Sequence, residues 1–216
     1  MAVERSMAAR AVSGPAKLAL ASIPPWLLYP VGLAPAVWYF YLGVADQLGA
    51  DPLKTLERTL GVWALRFLIA ALAITPLRQS FGINLLRYRR QLGLLAFYYV
   101  VLHLTTYLVL DQGLDFGAIW ADIMKRWYIT IGMTGFALLV PLAVTSNNAS
   151  IRRLGGRAWR RLHWLVYGAI ALAAWHFIMV VKSWPSRPLV YASIVLALLL
   201  YRVVRRLLQS ERKRRV

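Results

Sequence analysis

Long apolar runs, separated by short polar connections that are often basic, make up most of the sequence. A helix that crosses a bilayer needs about 20 mostly apolar residues, and six runs have that length. They cover approximately residues 24–45, 58–76, 92–110, 127–145, 161–182 and 188–207. The first run is rich in proline, which predicts a kinked helix or a late helix start. The pattern predicts an all-α membrane protein, a bundle of six transmembrane helices.

No internal repeat and no long linker divides the chain. We therefore expect one domain over residues 1–216, with a core of about 24–207 and a basic tail at 208–216. The composition agrees with a membrane location, because 60% of the residues are hydrophobic and the mean hydropathy is +0.56, above the range of soluble domains. The chain has no cysteine, which excludes disulfides, iron–sulfur clusters and covalently attached c-type haem.

The formal net charge of +18 suggests a nucleic-acid partner until the charges are placed on the predicted spans. One set of alternate connections, with both termini, carries 19 of the 26 Lys and Arg residues, whereas the other set carries 6 of them and six of the eight acids. The positive-inside rule then predicts that both termini lie in the cytoplasm. Nucleic-acid binding is the weaker alternative. The first run follows Arg5, Arg10 and Lys17 but does not end in a small-residue cleavage site, so we expect a retained span rather than a signal peptide.

Two of the three histidines, His103 and His176, fall at one depth on different predicted helices. At a rise of about 1.5 Å per residue, His103 lies roughly 10 Å and His176 roughly 9 Å below the outer membrane boundary. Neutral imidazoles on facing helices are what a six-coordinate b-type haem requires, one on each side of the iron. We therefore predict that this pair binds a haem. The alternative for each histidine is a polar core residue bonded to a hydroxyl or a carbonyl.

Arg66 lies within the second predicted span, roughly 12 Å deep and level with the histidine pair. An arginine inside the membrane normally faces the bundle interior and pairs with an anion, yet no Asp or Glu is predicted inside any span. A haem propionate would supply that anion. The equally weighted alternative is an arginine whose long stem lets the guanidinium reach the interface.

The third histidine, His163, begins the fifth predicted span after two arginines and lies close to 20 Å below His176. It cannot share a haem with the other pair. It could anchor a second haem near the cytoplasmic face, with the other axial position filled by a donor from residues 84–91, by water or by nothing. The alternative is an interfacial histidine bonded to solvent. Two haems at different depths would form an electron path across the membrane.

Motifs of substrate chemistry are absent from the sequence. It contains no G-x-G-x-x-G or Walker motif, no recognisable Ser-His-Asp pattern and no H-E-x-x-H, which would indicate nucleotide binding, acyl transfer or zinc-dependent hydrolysis. The predicted outer connections are short. We therefore expect an electron-transfer subunit with no substrate chemistry of its own, which serves a separate donor and a separate acceptor.

Three stretches, at residues 49–78, 89–111 and 142–182, resemble the MsrQ (YedZ) family. Its members are the haem-binding membrane subunits of the bacterial periplasmic methionine-sulfoxide reductase system, within the wider ferric-reductase-like transmembrane group. The most specific part is the R-x-L-H-x-L-V-Y motif at 160–167, followed by His176. The similarity extends over residues 49–207.

The resemblance implies that His103, His163 and His176 bind one or two b-type haems in the bacterial inner membrane. It also implies FMN, electrons from the quinone pool or a cytosolic flavin reductase, and a periplasmic molybdenum-containing partner, MsrP, which reduces methionine sulfoxide in oxidised proteins. The basic cytoplasmic connections, Arg89 among them, could hold the FMN phosphate, although the positive-inside distribution explains these arginines equally well.

The combined prediction is a membrane cytochrome b that relays electrons to a periplasmic MsrP-type reductase for the repair of oxidised proteins. Two alternatives stay open. One is a stand-alone transmembrane ferric or cupric reductase that uses the same haems. The other is a cofactor-free transporter in which the histidines relay protons.

Overall fold

The computed structural model describes residues 23–180 and 186–214, with the side chains of residues 212–214 excepted. Every regular element in these ranges is helical. The α-helices are α1 (Leu28–Val44), α2 (Pro52–Phe81), α3 (Arg89–Thr105), α4 (Phe116–Lys125), α5 (Trp127–Val144), α6 (Asn148–Leu162), α7 (Leu165–Val180) and α8 (Ser186–Arg214). Arg5, Arg10, Lys17 and the predicted end of the fifth span at residues 181–182 lie outside the described residues.

The predicted all-α membrane class is confirmed, because five helices are long and apolar enough to cross a membrane, and a bent pair of helices passes the same test when its two members are taken together. That pair is α6 and α7, which meet at 43°. The fifth span was expected to begin at residue 161, but the apolar helix begins at Leu165. Asn147 caps α6, its Oδ1 accepting a hydrogen bond from the Ser150 N–H at 2.8 Å. The preceding stretch is therefore separate from the apolar helix. It is arginine-rich and amphipathic, and it is kinked at Gly155, where φ is +74° and ψ is 148°.

The first span starts late, as its prolines predict. A 3₁₀ turn covers Pro25–Leu27 and α1 begins at Leu28. The second span starts earlier than expected, at Pro52, because Asp51 caps α2: its Oδ1 accepts a hydrogen bond from the Lys54 N–H at 3.1 Å. Such an N-cap supplies an acceptor for one of the unpaired N–H groups of the first turn.

Successive spans run up and down, so the bundle has two chemically different ends. The acid-bearing end comprises the connection 45–51, the first turns of α2 and residues 111–126. The arginine-rich end comprises the connection 82–88, α6 and the last turns of α8. The acid-bearing end carries six carboxylates, those of Asp46, Asp51, Glu57, Asp111, Asp115 and Asp122. In the part of the chain that the structure describes, the other end has one, Glu211.

A buried tyrosine fastens α1 to α3 where α1 contains Pro35. The Tyr99 hydroxyl accepts a hydrogen bond from the Ala36 N–H at 3.0 Å and donates one to the Gly32 carbonyl at 2.8 Å. It thus stands between two backbone groups that would otherwise bond each other in the helix ladder. Gly32 also allows close approach, because a Cβ there would lie 2.5 Å from the Leu95 side chain.

A buried arginine makes a similar repair in α2. Pro76 has no N–H, so the Leu72 carbonyl four residues earlier loses its helical donor. The Arg202 guanidinium of α8 reaches this gap, and its Nη2 donates to the Leu72 carbonyl at 2.8 Å and to the Thr75 hydroxyl at 3.1 Å. The same guanidinium lies 5.3 Å from the Tyr167 ring of α7. Arg202 therefore joins three helices near the arginine-rich end.

The apolar core lies midway between the two ends, among α2, α3, α5, α7 and α8. Its fully buried members are leucine, isoleucine, alanine and valine side chains, listed here: Leu65, Leu68, Leu72, Ala96, Leu139, Leu142, Ala169, Ile170, Ala174 and Val195. The small residues allow helix backbones to approach closely, which is how transmembrane helices pack. This core fixes the positions of α3 and α7, the helices that carry the histidine pair.

Candidate functional site

The structure brings His103 of α3 and His176 of α7 together, as their equal depth predicts. The two imidazole ring centroids are 6.3 Å apart and the ring planes are 80° apart. Two metal–imidazole bonds of about 2 Å would place the coordinating nitrogens about 4 Å apart, and each ring centroid lies a ring radius further out. The observed separation is therefore compatible with one metal atom held between the two rings.

Each ring of the pair is oriented by a backbone carbonyl of a neighbouring helix. His103 Nδ1 lies 2.8 Å from the Glu57 carbonyl of α2, and His176 Nδ1 lies 2.6 Å from the Tyr128 carbonyl of α5. Because a carbonyl oxygen only accepts, both Nδ1 atoms carry the hydrogen and donate. The lone pair of each neutral ring is then on Nε2, the arrangement found in metal-bound histidines.

Two glycines make room for the oriented rings. A Cβ built on Gly132 of α5 would lie 2.9 Å from both Nδ1 and Cε1 of His176. A Cβ on Gly61 of α2 would lie 3.4 Å from His103 Nδ1. Side chains at these two positions would occupy part of the space that the imidazoles fill, and the clash would be more severe at Gly132.

The helix that carries His103 changes form immediately after it. Residues Thr106–Asp111 form a π-helical segment that extends α3 to the acid-bearing end. Such segments insert an extra residue into the helical turn and occur frequently at functional sites. Tyr107 and Asp111 of this segment both line the cavity that contains the histidines.

His103 and His176 line one cavity of about 330 Å³, within the range of about 300–1,000 Å³ that is usual for ligand and cofactor sites. Most of its wall is apolar and comes from four helices, with members such as Val62, Leu65, Leu68, Val100, Leu104, Ile129, Met133, Phe136, Leu139 and Phe177. The polar lining residues are concentrated at the acid-bearing end. The cavity thus combines an apolar wall, two imidazole side chains and one polar end.

Three cations line the polar end of the cavity, and they differ in their partners. Lys54 Nζ lies 2.8 Å from an Asp111 carboxylate oxygen and 3.3 Å from a Glu57 carboxylate oxygen. Arg126 is paired with Asp122 at 3.2 Å. Arg58 makes no hydrogen bond or ion pair with any other residue that the structure describes, so this cation is available to a ligand.

Arg126 is tied to the backbone that orients His176. Its Nη1 donates to the Tyr128 hydroxyl at 3.2 Å, while the carbonyl of the same tyrosine holds the His176 ring. The hydrogen bond to Tyr128, together with the Asp122 carboxylate, raises the pKa of the Arg126 guanidinium above its ordinary value. The Asp122 carboxylate also accepts a hydrogen bond from Tyr107 at 3.3 Å. This network connects α4, α5 and the π-helical segment at the cavity end.

The structure does not place Arg66 in the cavity. Its guanidinium is exposed on the outer surface of α2, where Nε donates to the Tyr191 hydroxyl at 2.7 Å and the group lies 4.7 Å from the Trp63 ring. The reason is helical phase: Leu65 lines the cavity, and one further residue turns the side chain by about 100°. The depth estimate is insensitive to this rotation.

His163 lies at the break between α6 and α7 and does not line the cavity of the pair. Its Nδ1 donates to the Trp159 carbonyl at 3.1 Å, and its ring stacks on the Trp159 ring with the centroids 3.8 Å apart. Its Nε2 is buried and has no partner among residues 23–180 and 186–214. Arg89, exposed at the start of α3, lies close enough to His163 to interact with it electrostatically.

The three histidines thus share one chemical feature: Nδ1 is bonded to a backbone carbonyl, which leaves Nε2 as the ring nitrogen for a ligand. Among the described residues, no group of three or more His, Cys, Asp or Glu side chains could hold a metal ion. A pair of imidazoles without further protein ligands is the set that holds iron when a porphyrin supplies the other four nitrogens. The residues fit a haem.

Comparison with known proteins agrees with this architecture. Residues 60–174 match the sequence profile of the family described as ferric reductase like transmembrane component. The chain belongs to this family. It is also 63% identical, over 187 residues, to "Protein-methionine-sulfoxide reductase heme-binding subunit MsrQ" of Brucella ovis and to the proteins of the same name from Brucella canis and Brucella suis. The matched region covers 87% of this chain and 84% of each relative. The resemblance found in the sequence is confirmed.

In this member of the ferric reductase like family, the sequence alone revealed the histidines of the site but not the groups around them. The Glu57 and Tyr128 carbonyls left no signal, since any residue supplies a carbonyl. Gly61 and Gly132 did leave one, because each is a glycine in an apolar span near the depth of the histidines. Lys54 and Arg58 could also have been found, since they precede Gly61 and Leu65 at helical spacing on one face of α2.

Proposed function

We propose that this protein is a membrane cytochrome b that relays electrons to a periplasmic methionine-sulfoxide reductase. The observation that carries the proposal is the His103–His176 pair, with rings 6.3 Å apart and both Nδ1 atoms bonded to backbone carbonyls. Its relatives are named haem-binding subunits, which supports haem b as the cofactor. Bound haem would supply a one-electron carrier inside the membrane.

The chain's own residues would hold and orient this cofactor. His103 and His176 would coordinate the iron through Nε2, while the Glu57 and Tyr128 carbonyls fix the rotation of the two rings. The apolar wall would exclude water and keep the dielectric constant low, which are two of the means by which proteins set a haem potential. With both imidazoles engaged as iron ligands inside an apolar wall, the role that we propose for the site is electron transfer.

Cavity cations would offset the propionate charge. Arg58 supports this role best, because it lines the cavity and has no partner in the described chain. Lys54 and Arg126 are already paired with carboxylates and would contribute less. Arg66, which the sequence suggested for this purpose, is bonded to Tyr191 outside the cavity.

We further propose that His163 anchors a second, inner haem, with Arg89 close to that site. The buried Nε2 of His163 supports this, since a buried polar nitrogen without a partner is unfavourable unless a ligand fills the position. One cofactor near each end of the bundle would give an electron path through the protein. The basic charge at the inner end, Arg89 included, would also suit the phosphate of FMN.

The proposed orientation places the arginine-rich end and both termini in the cytoplasm of a bacterial cell, with the protein in the inner membrane. The donor would be the quinone pool or a cytosolic flavin reductase at that side. The acceptor would be a molybdenum-containing MsrP-type enzyme at the acid-bearing, periplasmic end. The names of the relatives, which describe subunits of a protein-methionine-sulfoxide reductase, support an acceptor of that system. The pair of cofactors would therefore connect reducing equivalents on the cytoplasmic side with protein repair in the periplasm.

The relay is tested by stopped-flow reoxidation of the haem-loaded, dithionite-reduced protein in nanodiscs. We expect purified MsrP-type molybdoenzyme with methionine sulfoxide to reoxidise the haem faster than a ferric chelate of equal concentration, because a docked partner holds its acceptor next to the donor. Molybdoenzyme without methionine sulfoxide is the control, because without its substrate it can accept electrons only until its own cofactor is reduced. Rapid reoxidation by the ferric chelate, with none by the molybdoenzyme, would instead identify a stand-alone metal reductase.

A further inference from the structure

Arg202 is a buried cation, and only one of its two terminal nitrogens is hydrogen-bonded within the described bundle. The residue is 9% exposed, and its Nη2 repairs the gap at Pro76 by donating to the Leu72 carbonyl and the Thr75 hydroxyl. Its other terminal nitrogen, Nη1, is buried and has no hydrogen-bond partner in the described part of the chain. A buried guanidinium donor without an acceptor is costly, which indicates a missing ligand.

No Asp or Glu of the described residues forms an ion pair with Arg202. The cations that act on it electrostatically are Arg89 and Arg206, and an aromatic ring, Tyr167, lies 5.3 Å from the guanidinium. Charged groups inside a membrane protein normally pair with an opposite charge. The unfilled position on Nη1 therefore suits an anion rather than a neutral group.

Arg202 and His163 belong to the same region of the bundle. Tyr167, which packs on Arg202, lies one helical turn after His163, and Arg89 interacts electrostatically with both residues. Two buried nitrogens without partners therefore occur in the same region of the described chain. One is a metal-type ligand, His163 Nε2, and the other is a cationic donor, Arg202 Nη1. A single ligand with a metal atom and a carboxylate would satisfy both.

We propose that Arg202 is a positioning residue for the inner cofactor, with Nη1 donating to a propionate carboxylate while Nη2 remains anchored to α2. This inference rests on the proposed inner haem at His163. The Leu72 and Thr75 contacts hold the guanidinium fork in place before the cofactor binds, so little side-chain entropy is lost in making the new bond. Arg202 would also raise the reduction potential of that haem, because a nearby positive charge favours the reduced form.

The test is a redox titration of the purified protein, with the inner haem assigned as the one lost in His163→Ala. In Arg202→Gln we expect the equilibrium constant for reduction of the inner haem to fall by at least tenfold, which is about 59 mV for one electron, while the outer haem is unchanged. Arg202→Lys should restore most of the potential, since it restores the charge. Arg206→Gln, which removes an exposed arginine from the same helix face, and Thr75→Val, which removes an anchor, are matched controls and should shift the potential less.

Should Arg202→Gln fail to fold, the propionate-bending band in the resonance Raman spectrum of Arg202→Lys provides the second readout. A shifted band relative to wild type supports the contact, and an unchanged band overturns it. A full complement of haem with the wild-type inner potential in Arg202→Gln overturns the proposal for Arg202 alone. If His163→Ala loses no haem, the proposal of an inner haem at His163 is wrong, and the inference about Arg202 fails with it.

Discussion

Replacing His176 with alanine is expected to remove one haem per chain from the purified protein. The ring supplies one of two axial bonds to the proposed outer haem, and the His103 imidazole alone would leave the iron five-coordinate. The same loss is expected for His103→Ala, because the two rings face one cavity and have equivalent backbone bonds. Haem content by pyridine haemochrome, together with the dithionite-reduced absorption spectrum, measures the effect.

Two controls separate ligation from folding. His163→Ala removes a histidine of the same family pattern from outside this cavity, so the outer haem should persist in that variant. Imidazole added to His176→Ala during haem loading should restore part of the low-spin spectrum, because the alanine leaves a space of the shape of the missing ring. A helical His176→Ala protein that keeps all its haem with an unchanged spectrum would show that this residue is not a ligand.

Gly132→Ala is expected to have the second largest effect, although position 132 contributes no side chain to the site. The added Cβ would lie 2.9 Å from His176 Nδ1 and Cε1, so the ring must move away from the Tyr128 carbonyl. Overpacking of this kind costs about 1–3 kcal/mol, and the loss of an orienting hydrogen bond weakens metal binding by about 10–100-fold. Haem titration of the apoprotein measures the affinity.

The chain offers two graded controls for this substitution. Gly61→Ala places its Cβ 3.4 Å from His103 Nδ1, so a smaller loss of affinity is expected there. Gly93, in the helix that carries His103, has no neighbouring atom within 4 Å of a built Cβ, and Gly93→Ala should leave haem affinity unchanged. Equal affinity in the Gly132→Ala and Gly93→Ala proteins would contradict the proposed cradle.

The sequence predicted the spans and the histidine pair because both depend on length and depth, which a linear sequence encodes directly. Six apolar runs gave the helices, and equal distances from the span ends gave the level of His103 and His176. The last two residues of α6, at 161–162, were assigned to the fifth span, since Leu162, His163 and Trp164 lead without a polar break into the apolar run that begins at Leu165. Where a helix breaks inside an apolar run depends on backbone geometry and leaves a weaker signal.

The assignment of Arg66 shows what depth alone leaves out. Arg66 is level with the histidines, but its rotation about the α2 axis directs it to Tyr191. Arg58, two turns earlier, lines the cavity instead. Helical phase relative to Gly61 and Leu65 would have separated the two arginines, since cavity-facing residues recur at intervals of three and four. Backbone carbonyls, by contrast, have no sequence signature at all.

The most direct test of the account is the low-temperature EPR spectrum of the oxidised His163→Ala protein, which should retain only the haem held by His103 and His176. Two imidazoles on one ferric iron form a strong axial ligand field, so we predict a six-coordinate, low-spin signal that disappears, together with the haem, when either histidine is also replaced. A high-spin, five-coordinate signal in His163→Ala itself would contradict the proposal that these two rings bind the same iron.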